Sequence, residues 1–433
     1  MAREMAREIK WSVVAAWAVS RGWLLLVTLG VLYNPYPIVT QDVSVTYFSW
    51  FEVLKTGTFP VDDTMWQYPP GAAGVLMLPG LLSWWSYTHA FFVLMVVADA
   101  VAFAFLLRGK SVYGAMLWVV GVPLLGPTIL SRYDLFVTAL AVAALMLLTT
   151  RTRTAGVLAG VAAAVKVWPV LLLLGTPRGR RTRDAVVWTL FGGAVVVFGF
   201  AAAMPGAFDF LTAQRDRGIE IESVFAMPLQ IARSHGWSGR VEFNYGSIEF
   251  LGPYVGLLST LSLIASALSF AWLLLWRVKA RRWTEATPYD AALTAVLLFV
   301  VTSRVLSPQY MVWLVGLAAV CLTRRETTQR PVAALILLAV PFTTWEFPMW
   351  FGWVMAGEPE AIAVLMLRNF LLVAAAVWSA MRLWRAARPA AGFSAAAWPP
   401  PGPRAALPSP APARSAQPSP DATRTGSADP DSV

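Results

Sequence analysis

The chain has 433 residues, of which 58% are hydrophobic and only 13% charged; a soluble domain carries roughly a quarter charged residues, so this is not a water-soluble globule. Its formal net charge is +10, but the Lys and Arg residues sit in short clusters between apolar runs rather than along one solvated face, which argues against nucleic acid as a partner. Two His residues and a lone Cys321 in an apolar run leave no His-rich or Cys-based metal site and no intramolecular disulfide.

In chain order, the short basic N-terminus MAREMAREIK precedes an apolar run, Trp11 to Tyr33. That run is too long for a signal-peptide core and lacks a small-residue cleavage site, so it predicts a first helix starting from the cytoplasm. Residues 34–70 then gather Asp42, Tyr47, Glu52, Asp62, Asp63 and Tyr68 at one membrane surface. This segment reads as an active-site loop within reach of a lipid-borne substrate. Asp42 follows the helix closely enough for its carboxylate to act as a base in a low dielectric, or it is an ordinary loop residue. Asp62 and Asp63 follow Pro60 and read as turn residues. Tyr68-Pro69-Pro70-Gly71 suits a helix start, and Trp66 with Tyr68 alternatively forms a platform for a sugar or prenyl chain.

Further apolar runs fall at about 71–87, 88–107, 112–130, 133–150, 155–175, 186–204, 253–276, 290–304, 309–323, 331–346 and 361–381. With the first they predict about twelve transmembrane helices in one all-α polytopic bundle, residues 1–388. Strict alternation puts two long loops, 34–70 and 205–252, outside. It puts the basic segments 178–184, 276–282, 323–330 and 381–388 inside, as the positive-inside rule requires. The same count places Arg108–Lys110 and Arg151–Arg153 outside, against that rule, which predicts helices between 71 and 175 that cross only partly around a protein cavity.

Isolated charges between the runs are the next signal. Ser131-Arg132-Tyr133-Asp134 is either a structural Arg132–Asp134 pair or an anion site. Lys166 lies within an apolar run; it snorkels to an interface or binds a buried anion in an opening made where Pro169 breaks the helix. In the second long loop Arg215, Arg217, Glu220, Glu222 and Arg233 form a salt-bridged surface helix or a polar-substrate site. Arg304, near Ser307-Pro308-Gln309-Tyr310, is an interface Arg or a phosphate or sugar contact. Gly109-Lys110-Ser111 is no phosphate-binding loop, because Ala104 stands where the first glycine belongs. Residues 389–433 are rich in Pro, Ala and Ser and predict a disordered cytoplasmic tail. Neither a solenoid repeat nor an inverted repeat of the transporter kind is evident.

Taken in order, DVSVTYFSWFEVLKTGTFP, WQYPPG, SRYDLF, GVAAAVKVWPVLLLL, QRDRGIEIESVFAMP and RVLSPQYMVWL resemble the membrane glycosyltransferases of the GT-C type, and more closely the bacterial polyprenyl-phosphate-mannose-dependent α-mannosyltransferases of glycosyltransferase family 87. The resemblance covers about residues 10 to 385. It implies a GT-C fold in the cell membrane and a sugar donor held on a polyprenyl phosphate in the bilayer. The acceptor is then a cell-envelope glycolipid or lipoglycan on the extracytoplasmic side.

By the same resemblance Asp42 is the general base of an inverting displacement, with His235 assisting proton transfer. Lys166, Arg132 and Arg304 bind the donor phosphate. Tyr47, Trp66, Tyr68, Asp134, Arg217, Glu222, Gln309 and Tyr310 contact substrate. No metal or other cofactor is expected. Two alternatives stay open, a different donor sugar such as polyprenyl-phosphate arabinose, and a transporter or flippase of lipid-linked sugars suggested by the membrane charges at Arg132, Asp134, Lys166 and Arg304.

Overall fold

A computed structural model of the protein describes residues 2–33, 36, 39–212 and 217–388. The expected disordered tail, 389–433, and Arg215 lie outside the described residues. Apolar composition makes every segment between loops helical, because a backbone without water must satisfy its hydrogen bonds internally. The helices that run along the bundle are α1 (Ala2–Thr28), α2 (Tyr87–Leu106), α3 (Tyr113–Leu124), α4 (Asp134–Leu147), α5 (Thr152–Val165), α6 (Arg180–Ala203), α7 (Val255–Lys279), α8 (Thr287–Thr302), α9 (Tyr310–Leu322), α10 (Arg330–Thr344) and α11 (Pro359–Ala386).

Among the described residues, six helices are long and apolar enough to cross a bilayer: α1, α2, α6, α7, α11, and α10 with its extension to Met349. The chain is therefore a multi-pass membrane protein. Helices α6 and α7 are mostly exposed to lipid, whereas the short helices α8 and α9 are buried along nearly their whole length. A 13-residue helix such as α9 reaches only about 20 Å. Its start, and the neighbouring ends of α4, α5 and α8, thus lie recessed among the longer helices. Asp134, Lys166, Ser303 and Gln309 collect at those ends.

The chain between α1 and α6 departs from strict alternation twice. Residues 71–87 do not cross: Gly71 packs on the backbone of Ala164 at the end of α5, Gly80 packs on Phe51, and Tyr87 meets the rings of Phe48 and Phe51. Both ends of that segment stay at the Asp42 end of the bundle. The run 155–175 instead crosses twice. Helix α5 stops at Val165, the backbone at Lys166 is extended, and a 3-10 segment, Trp168–Gly175, returns to pack Gly175 on Pro288 at the opposite end.

One expected crossing is lost and one gained. As a result Arg108–Lys110, Thr149–Thr150, Arg181, Trp283–Glu285 and Arg324 all line one cavity at the end opposite Asp42. The clusters predicted outside, against the charge rule, thereby share an end with the other basic loops.

The return at Lys166 brings α5 tightly against α6. Gly156 and Gly160 face Ala185, Thr189 and Gly193, and a Cβ on Gly160 would fall inside the Thr189 carbonyl. Thr189 Oγ1 also donates to the Gly156 carbonyl at 3.1 Å. This is the close backbone approach that paired small residues permit in membranes.

The second long loop is not the salt-bridged helix that its charges suggested. It holds a three-stranded antiparallel sheet, β1 (Ile219–Glu220), β2 (Arg240–Asn244) and β3 (Ser247–Leu251), in the order β1-β3-β2. Tyr245 and Gly246 both take positive φ between β2 and β3. That is the two-residue hairpin turn whose twist matches paired strands.

Candidate active site

The ends of α5, α8 and α9, the side of α7 and the hairpin tip line a cavity of about 540 Å³. Its charged lining residues are Lys166, Arg217 and Arg304, joined by Gln67, Tyr68, Gln309 and Tyr310. Its apolar lining includes Phe210, Leu211, Leu263, Phe270 and Phe299. A cavity lined by both cations and apolar side chains matches an anionic headgroup carried on a hydrocarbon chain.

Lys166 ends α5 because the following Val167-Trp168-Pro169 cannot continue the helix. Its ammonium donates to Asp134 Oδ1 at 2.6 Å, and the Trp313 indole donates to the same oxygen at 2.8 Å. Around the ammonium stand the rings of Trp313, Tyr310, Tyr133 and Tyr68, 4.9, 5.2, 5.4 and 6.0 Å away. Aromatic faces stabilise a cation by their quadrupoles. They keep this charge in place where bare burial would disfavour it.

Arg217 is held by three acceptors. Nε donates to Glu249 at 2.7 Å, Nη1 to the Gln67 side-chain oxygen at 3.1 Å and Nη2 to Ser247 Oγ at 2.6 Å. Gln67 in turn donates to the Tyr245 carbonyl at 2.7 Å, which pins the hairpin tip to the first loop. Arg304 donates to the Arg217 carbonyl at 2.9 Å. Glu220 ties the two segments together: its amide donates to the Arg304 carbonyl, and its carboxylate accepts from the Leu306 amide at 2.5 Å and from Ser307 Oγ at 3.0 Å. Burial raises the Glu220 carboxyl above its usual range, and Arg217 opposes that rise.

Asp42 lies in a π-helical turn, Asp42–Tyr47, and pairs with Arg132. Its side chain keeps 36% exposure against 14% for Arg132. Neither residue lines the cavity. They lie beside Tyr68, one of a group of packed rings with Tyr133 and Tyr47. The Arg132–Asp134 pair, one of the two readings open from the sequence, does not form. Each of the two takes a partner from elsewhere, Asp42 and Lys166.

The cavity brings together Lys166, Arg217, Arg304, Tyr68, Gln309 and Tyr310 from the residues anticipated in the sequence. Several others lie apart. Asp134 is buried beneath Lys166 and positions it rather than facing the cavity. Trp66 is sealed among Trp50, Phe59 and Tyr68, and Tyr47 is likewise buried, because the aromatic first loop packs on itself.

Glu222 faces Glu346 and Arg368, with its carbonyl accepting from Arg368 and Asn369 at 2.9 and 3.0 Å. His235 is exposed and bonded to its own turn, at Ile231 and Ser234. Glu249, Gln67, Ser247 and Trp313 were missed. The signal for the first and third was a strand pattern, Ser247-Ile248-Glu249-Phe250 after a Tyr245-Gly246 turn. Among the described residues no group of three or more His, Cys, Asp and Glu is clustered as metal ligands.

Residues 66–308 match the family model of glycosyltransferase family 87. The chain belongs to that family. The matched region runs from Trp66 through β1–β3 to Pro308 and so includes the positions of Lys166, Arg217 and Arg304. No curated protein matches this family 87 member. A solved structure, ArnT from Cupriavidus metallidurans bound to undecaprenyl phosphate, is similar at 13% identity and a TM-score of 0.43, over 86% of this chain and 78% of that one. A likeness so distant fixes no correspondence between residues.

Proposed function

We propose that this membrane glycosyltransferase moves mannose from a polyprenyl-phosphate-mannose donor to a hydroxyl of a cell-envelope glycolipid or lipoglycan, on the extracytoplasmic side of the cell membrane. The observation that carries the reading is the cavity lined both by Lys166, Arg217 and Arg304 and by Phe210, Leu211, Leu263 and Phe270. Its cations suit the phosphate of the donor, and its apolar wall suits the first prenyl units. The undecaprenyl phosphate bound to ArnT belongs to that chemical class. A GT-C arrangement and the resemblance to the mannosyltransferases of the family support the choice of donor. The same cavity also accommodates a polyprenyl-phosphate pentose such as arabinose.

Asp42 is the general base in this reading. It removes the proton of the acceptor hydroxyl, whose oxygen attacks the anomeric carbon as the bond to the departing phosphate breaks. The configuration inverts, and no covalent enzyme intermediate forms. One carboxylate suffices for this, where a glycosidase needs two. Charge grows on the leaving phosphate, and fixed cations in a water-poor site stabilise that charge strongly. Arg132 pairs with Asp42 and orients it, and the exposed side of Asp42 is open to an acceptor.

The test supplies membranes containing wild-type protein or Asp42→Asn with radiolabelled polyprenyl-phosphate mannose and an extract of envelope glycolipids. Label is expected in a more polar lipid with the wild type alone. Transfer only from the arabinose donor overturns the sugar assignment. Activity retained in Asp42→Asn removes Asp42 as the base.

A further inference from the structure

A second polar cavity, about 750 Å³ in volume, opens at the end of the bundle opposite Asp42, where α2 and α9 end and α6 and α8 begin. Among the described residues its charged lining is Arg108, Lys110, Arg181 and Arg324 against one carboxylate, Glu285, so four positive charges meet one negative and leave +3. Glu285 is already taken by Lys110, at 2.5 Å.

Arg324 is the informative side chain. It is only 9% exposed, one Nη donates to the Tyr289 hydroxyl at 3.0 Å, and the guanidinium lies over that ring. Its Nε is buried with no hydrogen-bond partner among the described residues. A desolvated guanidinium donor without an acceptor is costly; Arg324 is therefore only partly paired within the protein, and the part of its side chain that lines the cavity is left for an acceptor there. The remaining wall includes Phe105, Met146, Leu147 and Trp283, so the cations border apolar side chains.

We propose that this cavity binds a phosphate-bearing anion, with Arg324 as its buried contact and Arg108, Lys110 and Arg181 as an exposed cationic rim. Guanidinium groups bind phosphate through paired N–H donors, and basic pockets between membrane helices suit anionic headgroups. The ligand is the headgroup of an anionic phospholipid or a soluble phosphate. The site is separate from the catalytic cavity and does not depend on the donor assignment.

Binding to full-length protein in detergent is measured by native mass spectrometry with phosphatidic acid or phosphatidylcholine, and by calorimetry with inorganic pyrophosphate. One equivalent of phosphatidic acid or of pyrophosphate is expected to bind, and phosphatidylcholine is not. Arg324→Gln and the rim variant Arg108→Gln with Arg181→Gln each weaken that binding about tenfold or more, and Glu285→Gln tightens it. The rim variant leaves the buried Arg324 in place, so a folding failure of Arg324→Gln does not remove the test. Retention of phosphatidic acid alone assigns the site to a lipid headgroup, and binding of pyrophosphate alone to a soluble anion. Binding of neither, or binding equal in wild type and both cation variants, overturns the proposal.

Discussion

Lys166 Nζ lies 2.6 Å from Asp134 Oδ1, and the two side chains differ in access: the carboxylate is 2% exposed and the ammonium 15%. The negative partner is sealed beneath the positive one, which alone faces the cavity. Breaking such a buried pair from one side leaves an uncompensated charge, at a cost of about 3–5 kcal/mol. Asp134→Ala should lower thermal stability by that order. Asp134→Leu combined with Lys166→Met should recover much of it, because both charges are then gone. The double variant should still fail to transfer sugar, and melting curves beside the label assay separate the two effects.

Glu249 is fully buried and supplies the carboxylate that Arg217 contacts. Glu249→Gln keeps the shape and removes the charge, weakening a charge-assisted contact worth about 1.5–3 kcal/mol. The freed Arg217 should bind donor less well. The expected result is a rise in KM for the lipid-linked donor of about tenfold or more, with a smaller change in kcat, read from initial rates.

Glu222 gives the pH prediction. Burial, with Glu346 and Glu220 adding repulsion, pushes its carboxyl well above the ordinary carboxylate range, against the pull of Arg368. The folded protein therefore holds this proton more tightly than the unfolded chain. That stabilisation is fully present below the unfolded value, about 4.3, and is lost as pH rises through the higher folded value. Glu222→Gln carries no such titration. Its melting temperature relative to wild type should rise steadily over the window that opens as pH climbs above that unfolded value, with each tenfold difference in proton affinity between folded and unfolded chain worth about 1.4 kcal/mol. A constant difference across that window contradicts the assignment.

Gly160 tests the packing that creates the recess. Any side chain there meets the α6 backbone at Thr189 and Gly193. Overpacking a tight contact costs about 1–3 kcal/mol. Gly160→Leu should lower melting and displace the adjoining Lys166, so activity falls together with stability. Gly199→Leu, where a side chain meets open space, is the control and should change little.

Residues 71–87 and 155–175 show how far a linear reading carries. Both are apolar runs near the length of a spanning helix, and hydropathy alone predicts one crossing for each. The first fails to cross because its two ends pack on Ala164 and Phe51 at one end of the bundle. The second crosses twice because the chain is extended at Lys166 and resumes as a 3-10 segment through Pro169. The two departures cancel in parity, so the basic segments after residue 175 and the second long loop keep the ends expected of them. Lys166 was legible as a lone charge in an apolar run, and Pro169 as its break.

The sequence by itself determined the helical membrane bundle, the polar first loop and the sparse charges at Lys166, Arg217 and Arg304, since isolated charges among apolar residues are costly wherever they fall. Only the tertiary structure decided their partners. Asp42 is 90 residues from Arg132, and Gln67 is 150 from Arg217. Local spacing carries no information about which distant oxygen meets which guanidinium. The short helices fix that choice, because their ends meet and bring the polar groups of separate segments into one recess.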